Sequence, residues 1–349
     1  MSHIGIITFL HNDNYGSALQ AYALQHVIRE IGHECVHLDY MPDRNEKICN
    51  LLRSGNSPKL IAEGMRKRSV KAGQQGAREK SKAIPAFYEK RMILSPKCKN
   101  LKELRERSSD IDILVCGSDQ IWNPVWLNPA YFGMFLPKEK KKIAYAPSLG
   151  IHTLPSETKI RKIRKWTKNF TAVSVREAEG AELLEKMTGL RADVMPDPVC
   201  LLSREEWVRI AGPAPAGDPY LLCYFIGENK NYRDSVRALS KKNGLRVLEI
   251  PVTAEGYNSG FELLEGLGPE EFLGAVLGAD CFCTDSFHGL VFGKLLGVRT
   301  EILRRYREDD PESKNSRVDN FLRQIHEKGA DELRNQGRDW LADNLLTNQ

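Results

Sequence analysis

No apolar run in this chain reaches the roughly 18–20 residues that a membrane-spanning helix requires, and the first apolar strand pattern starts at Ile4. That leaves no room before it for the basic start, apolar stretch and cleavage site of a signal peptide, so a cytoplasmic protein is expected. The eight cysteines include no Cys-x-x-Cys pair. Cys281 and Cys283 lie two apart in an apolar run and would share one face of a strand, as small core residues do. A disulfide framework is not expected in a cytosolic chain of this size. No His, Cys, Asp or Glu grouping has metal-ligand spacing, so no metal is expected. Gly-x-Gly-x-x-Gly, the dinucleotide fingerprint, is absent, as is any internal repeat of fixed period. No known nucleic-acid motif accompanies the basic residues, and nucleic acid is not expected as a partner.

What is present describes a folded protein of two domains. The chain has 349 residues, too many for one ordinary core, with 41% apolar and 28% charged residues. The net charge of +5 is unevenly spread: Lys59 to Arg107 holds 15 Lys and Arg against 5 Asp and Glu. Such a stretch is either a set of solvated helix faces or an attraction to anions: a phosphorylated donor, a lipid-linked sugar, or an anionic membrane at its inner face.

Strand and helix patterns alternate along most of the chain. Ile4–Phe9 reads as a buried strand, Ser17–Ile31 as a helix stopped by Gly32, and Cys35–Tyr40 as a strand, together a βαβ unit that implies a parallel sheet. Residues 45–100 read as a polar, basic insertion of helices and loops. Strands follow at Asp112–Cys116, Lys142–Ala146, Ala172–Val175 and Ala192–Met195. Gly212–Pro219 has the Pro and Gly density of a linker. A second series follows, with strands at Tyr220–Ile226, Arg246–Ile250, Asp280–Thr284 and Thr300–Leu303, and helices at Tyr232–Lys242, Pro269–Leu277 and Ser286–Leu296. Helices at Arg317–Glu327 and Ala330–Leu346 end the chain. The expectation is an α/β protein of two Rossmann-like doubly wound domains, 1–211 and 212–349, facing a cleft, with the last helix able to pack back on the first domain. Ligands of such sheets bind beyond the C-terminal strand ends.

Four motifs sit at those ends. Asn12-Asp13-Asn14-Tyr15-Gly16-Ser17 precedes a helix whose N-terminus favours an anion or sugar hydroxyl, or is simply a capped turn. Gly117-Ser118-Asp119-Gln120-Ile121-Trp122-Asn123 combines carboxylate, amide and indole as sugar sites do, though Ser118 or Asp119 could equally be a helix cap. Arg176 in Ser174-Val175-Arg176-Glu177 could fork onto a carboxylate or phosphate, or pair with a nearby acid. In Thr284-Asp285-Ser286-Phe287-His288-Gly289, His288 falls in the first turn of a helix.

In this order and spacing, NYGSALQAYALQ, GSDQIWNP, YAPSLG, SVRE, DPV and TDSFHG resemble the polysaccharide pyruvyl transferase family, from about Gly5 to Gly297. The resemblance implies a glycosyltransferase-B-like fold. It also implies transfer of a pyruvyl group from phosphoenolpyruvate to a sugar of a cell-surface polysaccharide precursor, free or lipid-linked, with release of phosphate and no cofactor. It places the catalytic histidine at His288 and a donor-binding arginine at Arg176, with Ser286 and Phe287 beside the donor. Many members carry arginine where this chain has Ser286, which puts a two-arginine donor clamp in doubt. Lys294, Arg299 or Arg317 could compensate. A histidine titrates near the working pH and can supply the proton. Asp119 is the candidate to orient or deprotonate the acceptor hydroxyl; Asn14, Tyr15, Gly16, Ser118 and Trp122 would line the acceptor side. A nucleotide-sugar glycosyltransferase shares this fold, and a non-catalytic sugar-binding protein is the other alternative.

Overall fold

The computed structural model describes residues 1–55, 75–229, 231–305 and 315–346. They fall into two compact units. The first draws on Met1–Gly64, Tyr88–Leu201 and Asp319–Gln349, the second on Met65–Phe87 and Leu202–Val318.

The first unit is built on six parallel strands: β1 (His3–Ile7), β2 (Glu34–His37), β3 (Ile113–Cys116), β4 (Lys141–Ala144), β5 (Ala172–Val175) and β6 (Asp193–Val194), in the order β2-β1-β3-β4-β5-β6. The central strands read as unbroken apolar runs because helices cover both faces of the sheet. Register is set early: Ile4 lies opposite Cys35 on one side and Ile113 on the other. Strand order reverses between β1 and β3, which makes their C-terminal ends a topological switch point. The helix Tyr15–Glu30 leaves β1 directly. Asn14 caps it, its side chain accepting from Gly16 N (2.9 Å) and Ser17 N (3.3 Å).

Five parallel strands carry the second unit: β7 (Tyr220–Tyr224), β8 (Arg246–Glu249), β9 (Glu262–Leu263), β10 (Cys281–Thr284) and β11 (Thr300–Ile302), ordered β11-β10-β7-β8-β9. Its switch point lies between β7 and β10, and the helix Phe287–Leu295 starts there. Cys281 and Cys283 are buried on β10, in the core as their spacing implies, and the eight cysteines are free thiols.

Differences from the sequence reading have local causes. Residues 92–100 belong to the edge of the first sheet: His37 N donates to Ile93 O (2.9 Å), Ser95 N to His37 O (2.8 Å) and Cys98 N to Asp39 O (2.7 Å). The basic insertion expected over 45–100 is therefore shorter, and its residues 56–74 lie outside the described ones. Gly212–Pro219 does not sit at the boundary between the units but within the second; Gly212 N donates to Glu270 O (2.7 Å), fastening the segment to the helix Pro269–Leu277. The helix Arg204–Ile210 went unread, although Ser203 and Glu206 form a capping box. Residues 319–345 return to the first unit, where Trp340 Nε1 donates to Asp193 Oδ2 (2.7 Å) and Arg338 Nη1 to Leu201 O (3.0 Å). Among the described residues, no helix is long and apolar enough to cross a membrane.

His37 on β2 is completely buried and bonds the Ala21 carbonyl through Nε2 (2.9 Å). Burial pushes its pKa down to about 4, against smaller upward pulls from that carbonyl and Asp39. The unfolded chain would bind a proton below pH about 6.5 that the native ring refuses, so this residue costs no stability above that pH and up to about 3 kcal/mol as pH falls to 4. Urea unfolding between pH 7 and 4.5 is expected to show the loss, and His37→Gln to flatten it. An unchanged pH slope in that variant would remove His37 from the acid response.

Candidate active site

At the first switch point the sequence motifs meet in one buried network. Ser17 Oγ donates to Asp119 Oδ2 and accepts from Asn12 Nδ2 (3.0 Å). The other carboxylate oxygen of Asp119 accepts from Gln120 N (2.7 Å). Ser118 Oγ donates to Ala146 O (2.6 Å) and accepts from Arg176 Nη2 (2.8 Å). The same Nη2 lies 2.8 Å from Asp197 Oδ2. Arg176 and Asp197 are 3% and 2% exposed. Burial alone would lower the arginine's pKa; the carboxylates of Asp197, Asp119 and Glu177 outweigh it and raise it.

Backbone geometry at this turn is tight. Asp119 has φ 65° and Ala146 φ 48°, uncommon for residues with a side chain and typical of functional sites. Gly117 has φ 145°, and a Cβ there would lie 2.0 Å from the Tyr145 carbonyl oxygen, so only glycine fits. Beside the network, His11 Nε2 donates to Asp39 Oδ1; the carboxylate is buried while the ring is about one-third exposed.

The second switch point is organised by Asp285. Its carboxylate accepts from Ile226 N (2.7 Å) and Gly227 N (2.8 Å), which closes the loop after β7, and from Arg305 Nε (3.0 Å). Ser286 caps the next helix, its Oγ accepting from Gly289 N (3.3 Å). Phe287 and His288 occupy the first turn with rings edge to face at 5.2 Å; they are 7% and 8% exposed. The Arg317 guanidinium lies 5.9 Å from the Phe287 centroid.

Several expected roles change. Trp122 is 1% exposed, stacked on Phe132 at 5.0 Å, and its Nε1 donates to Tyr131 O (3.0 Å); it is a core residue and lines no acceptor surface. Trp126, 39% exposed, is the accessible indole of that segment. Tyr15 is 1% exposed and Gly16 buried in the helix's first turn, so of the three acceptor-side residues expected in that motif Asn14 alone stays partly open, next to the exposed Asp13 and the half-buried Asn12. Ser118 is fully buried and holds Arg176. Arg176 is a buried support of the Ser118–Asp119 turn in the first unit. Ser286 acts as a helix cap. Lys294 is exposed, and Arg299 pairs with Glu301 (3.2 Å). The sequence reading missed the partners Asp197, Asp39 and Arg305, and placed Ser17 in the first motif without a role. Asp197 lay within the DPV landmark, but no spacing rule ties it to Arg176.

The family described as polysaccharide pyruvyl transferase matches residues 14–300. No curated protein matches the sequence. Among solved structures, the chain is similar to a UDP-GlcNAc 2-epimerase from Neisseria meningitidis bound to UDP-GlcNAc, with 10% identity, all of both chains covered and a TM-score of 0.54. It is also similar to a putative UDP-N-acetylglucosamine 2-epimerase from Listeria monocytogenes, with 11% identity, 96% of this chain and 90% of that chain covered, and a TM-score of 0.48. An alpha-glucosyltransferase in complex with UDP-glucose and DNA containing an abasic site gives 10% identity, coverage of 98% and 95%, and a TM-score of 0.48. The likeness to the Neisseria enzyme, at 10% identity, concerns the fold alone: an α/β protein of two Rossmann-like units, glycosyltransferase-B-like.

The Arg176–Asp197 pair gives a stability test. Arg176→Met leaves a buried carboxylate uncompensated and is expected to cost about 3–5 kcal/mol, whereas Arg176→Met with Asp197→Leu should recover much of it. Urea unfolding checks both. A single variant as stable as the parent would mean that the pair does not hold the turn.

Proposed function

This chain belongs to the polysaccharide pyruvyl transferase family and is a transferase, and from that premise we propose that it moves the pyruvyl group of phosphoenolpyruvate onto a sugar of a cell-surface polysaccharide precursor, forming a ketal. The observation that carries the reading is His288. It stands in the first turn of the helix that leaves the switch point of the second unit, nearly buried, with the turn fixed by the Ser286 cap. A histidine so placed has a set orientation and a helix N-terminus beside it, which suits an anionic donor.

In the proposed reaction, His288 gives a proton to C3 of phosphoenolpyruvate, and C2 becomes electrophilic. An acceptor hydroxyl attacks C2 and gives up its proton, forming the first C–O bond. The C2–O bond to phosphorus breaks, and a second hydroxyl closes the ring. One hydroxyl proton replaces that taken from His288; the other leaves with hydrogen phosphate, so charge and atoms balance. Asp119, held by Ser17 and Gln120 at the first unit's switch point, is the proposed acceptor-orienting group. Asn14 at the adjoining helix cap extends that polar surface.

Isothermal titration of the purified protein with phosphoenolpyruvate, alongside UDP-GlcNAc, tests the donor. Binding of phosphoenolpyruvate is expected; binding of the nucleotide sugar alone would move the protein to the glycosyltransferases. Phosphate release over a panel of oligosaccharide acceptors tests the chemistry. His288→Asn is expected to lower kcat by about 10²–10⁴ while phosphoenolpyruvate still binds, the usual loss on removing a general acid. A loss of less than tenfold would take the proton-transfer role away from His288.

A further inference from the structure

An acceptor hydroxyl that attacks C2 has to lose its proton, and a positioned base at the acceptor side makes that loss fast. Asp119 is poorly placed to take the proton. Its Oδ2 accepts from Ser17 Oγ, its Oδ1 accepts from Gln120 N (2.7 Å), and the residue is 8% exposed. His11 differs. It stands in the loop after β1, its side chain is 32% exposed, and its Nε2 donates to Oδ1 of Asp39, which follows β2 and whose side chain is 6% exposed.

The pair is held from both sides. Asp39 N donates to Ser95 Oγ (3.0 Å) and Asp39 O accepts from Cys98 N (2.7 Å), so the edge segment 92–100 fixes the main chain of the acid. Tyr88 Oη donates to Leu10 O (3.0 Å) and so fixes the peptide before the histidine. Tyr88 also shows which acids lie together: burial raises its pKa, and the carboxylates of Asp119, Asp39 and Asp13 raise it further. His11 and these three acids share one end of the sheet, with the amides of Asn12 and Asn14 in the same loop. An ionised carboxylate can only accept, so Nε2 carries the hydrogen of the neutral ring and Nδ1 keeps the basic lone pair. Nδ1 has no hydrogen-bond partner among the described residues.

We infer that His11, oriented by Asp39, takes the proton of the attacking acceptor hydroxyl, while Asp119 orients the acceptor. The hydroxyl O–H bond breaks as an electron pair of its oxygen forms the C–O bond to C2, and the proton goes to Nδ1. The Asp39 carboxylate balances the imidazolium so formed. The proton then passes through water to the phosphate, which leaves as hydrogen phosphate, and His11 ends the cycle neutral. The inference rests on the donor and acceptor reading above. His11 stands one place before the first sequence motif, and Asp39 lies outside all of them.

Steady-state phosphate release tests it, with phosphoenolpyruvate and the oligosaccharide of the panel that the parent uses fastest, and with circular dichroism confirming that each variant is folded. His11→Gln can still donate to Asp39 through its amide but carries no base. Its kcat is expected to fall by about 100-fold or more, while calorimetry shows an affinity for phosphoenolpyruvate within about twofold of the parent. Asp39→Asn, a change at the positioning residue, should lower kcat about tenfold or more. In His11→Ala, added imidazoles should restore phosphate release, and the restored rate should rise with the basicity of the imidazole, which a packing role would not produce. A folded His11→Gln variant with kcat within about tenfold of the parent overturns the inference and leaves the donor reading standing, as does a rescue indifferent to basicity. A parent that binds phosphoenolpyruvate but releases no phosphate with any acceptor of the panel overturns the acceptor reading and this inference with it. A parent that does not bind phosphoenolpyruvate overturns the donor reading as well.

Discussion

A guanidinium with only 3% of its surface exposed has to be neutralised where it stands, because removing a charge from water is expensive unless a counter-charge and hydrogen bonds replace the solvent. In the first unit Asp197 and Ser118 meet that demand for Arg176, and doing so ties strand ends together. Arg176 follows β5, Asp197 follows β6, and Ser118 follows β3. Ser118 also donates to Ala146 after β4. Ser17 at the start of the helix after β1 reaches Asp119, the next residue in the chain. The loops at one edge of the sheet are thereby fixed to one another, and the unusual backbone of Asp119 is held by its surroundings rather than by its own preference.

The two switch points share an architecture and differ in chemistry. In the first unit a cation, Arg176, is enclosed, and the His11 ring stays about one-third exposed over the buried Asp39 carboxylate. In the second a carboxylate is enclosed and the cations lie outward: Asp285 is buried, while Arg305 and Arg317 are only partly covered.

Much of this was legible in the residues. Short apolar runs rich in β-branched residues, such as IGII and ILVC between polar loops, read as strands covered on both faces, and the helices between them make the sheet parallel. Those facts put each polar motif at a strand end. Legibility failed where contacts are distant in sequence. Trp122 follows a polar cluster and looks like part of it, yet it turns inward onto Phe132 and Phe170. Residues 92–100 lack a strand-like pattern because they pair only through isolated bridges at an edge. The two-residue strand Glu262–Leu263 is too short to show a period.

The sequence by itself determined the alternation of strands and helices, the two-domain α/β class, the family, and the position of His288 in the first turn of a helix, because each depends on neighbouring residues or on a pattern that repeats locally. Tertiary structure alone decided which polar side chains are enclosed by others and which stay accessible. Arg176 and Arg305 look alike as letters; one is closed in by Asp197 and Ser118, and the other lies partly open over Gly227. Burial and ion pairing are properties of contacts between segments tens of residues apart, and no local spacing encodes which segments will meet.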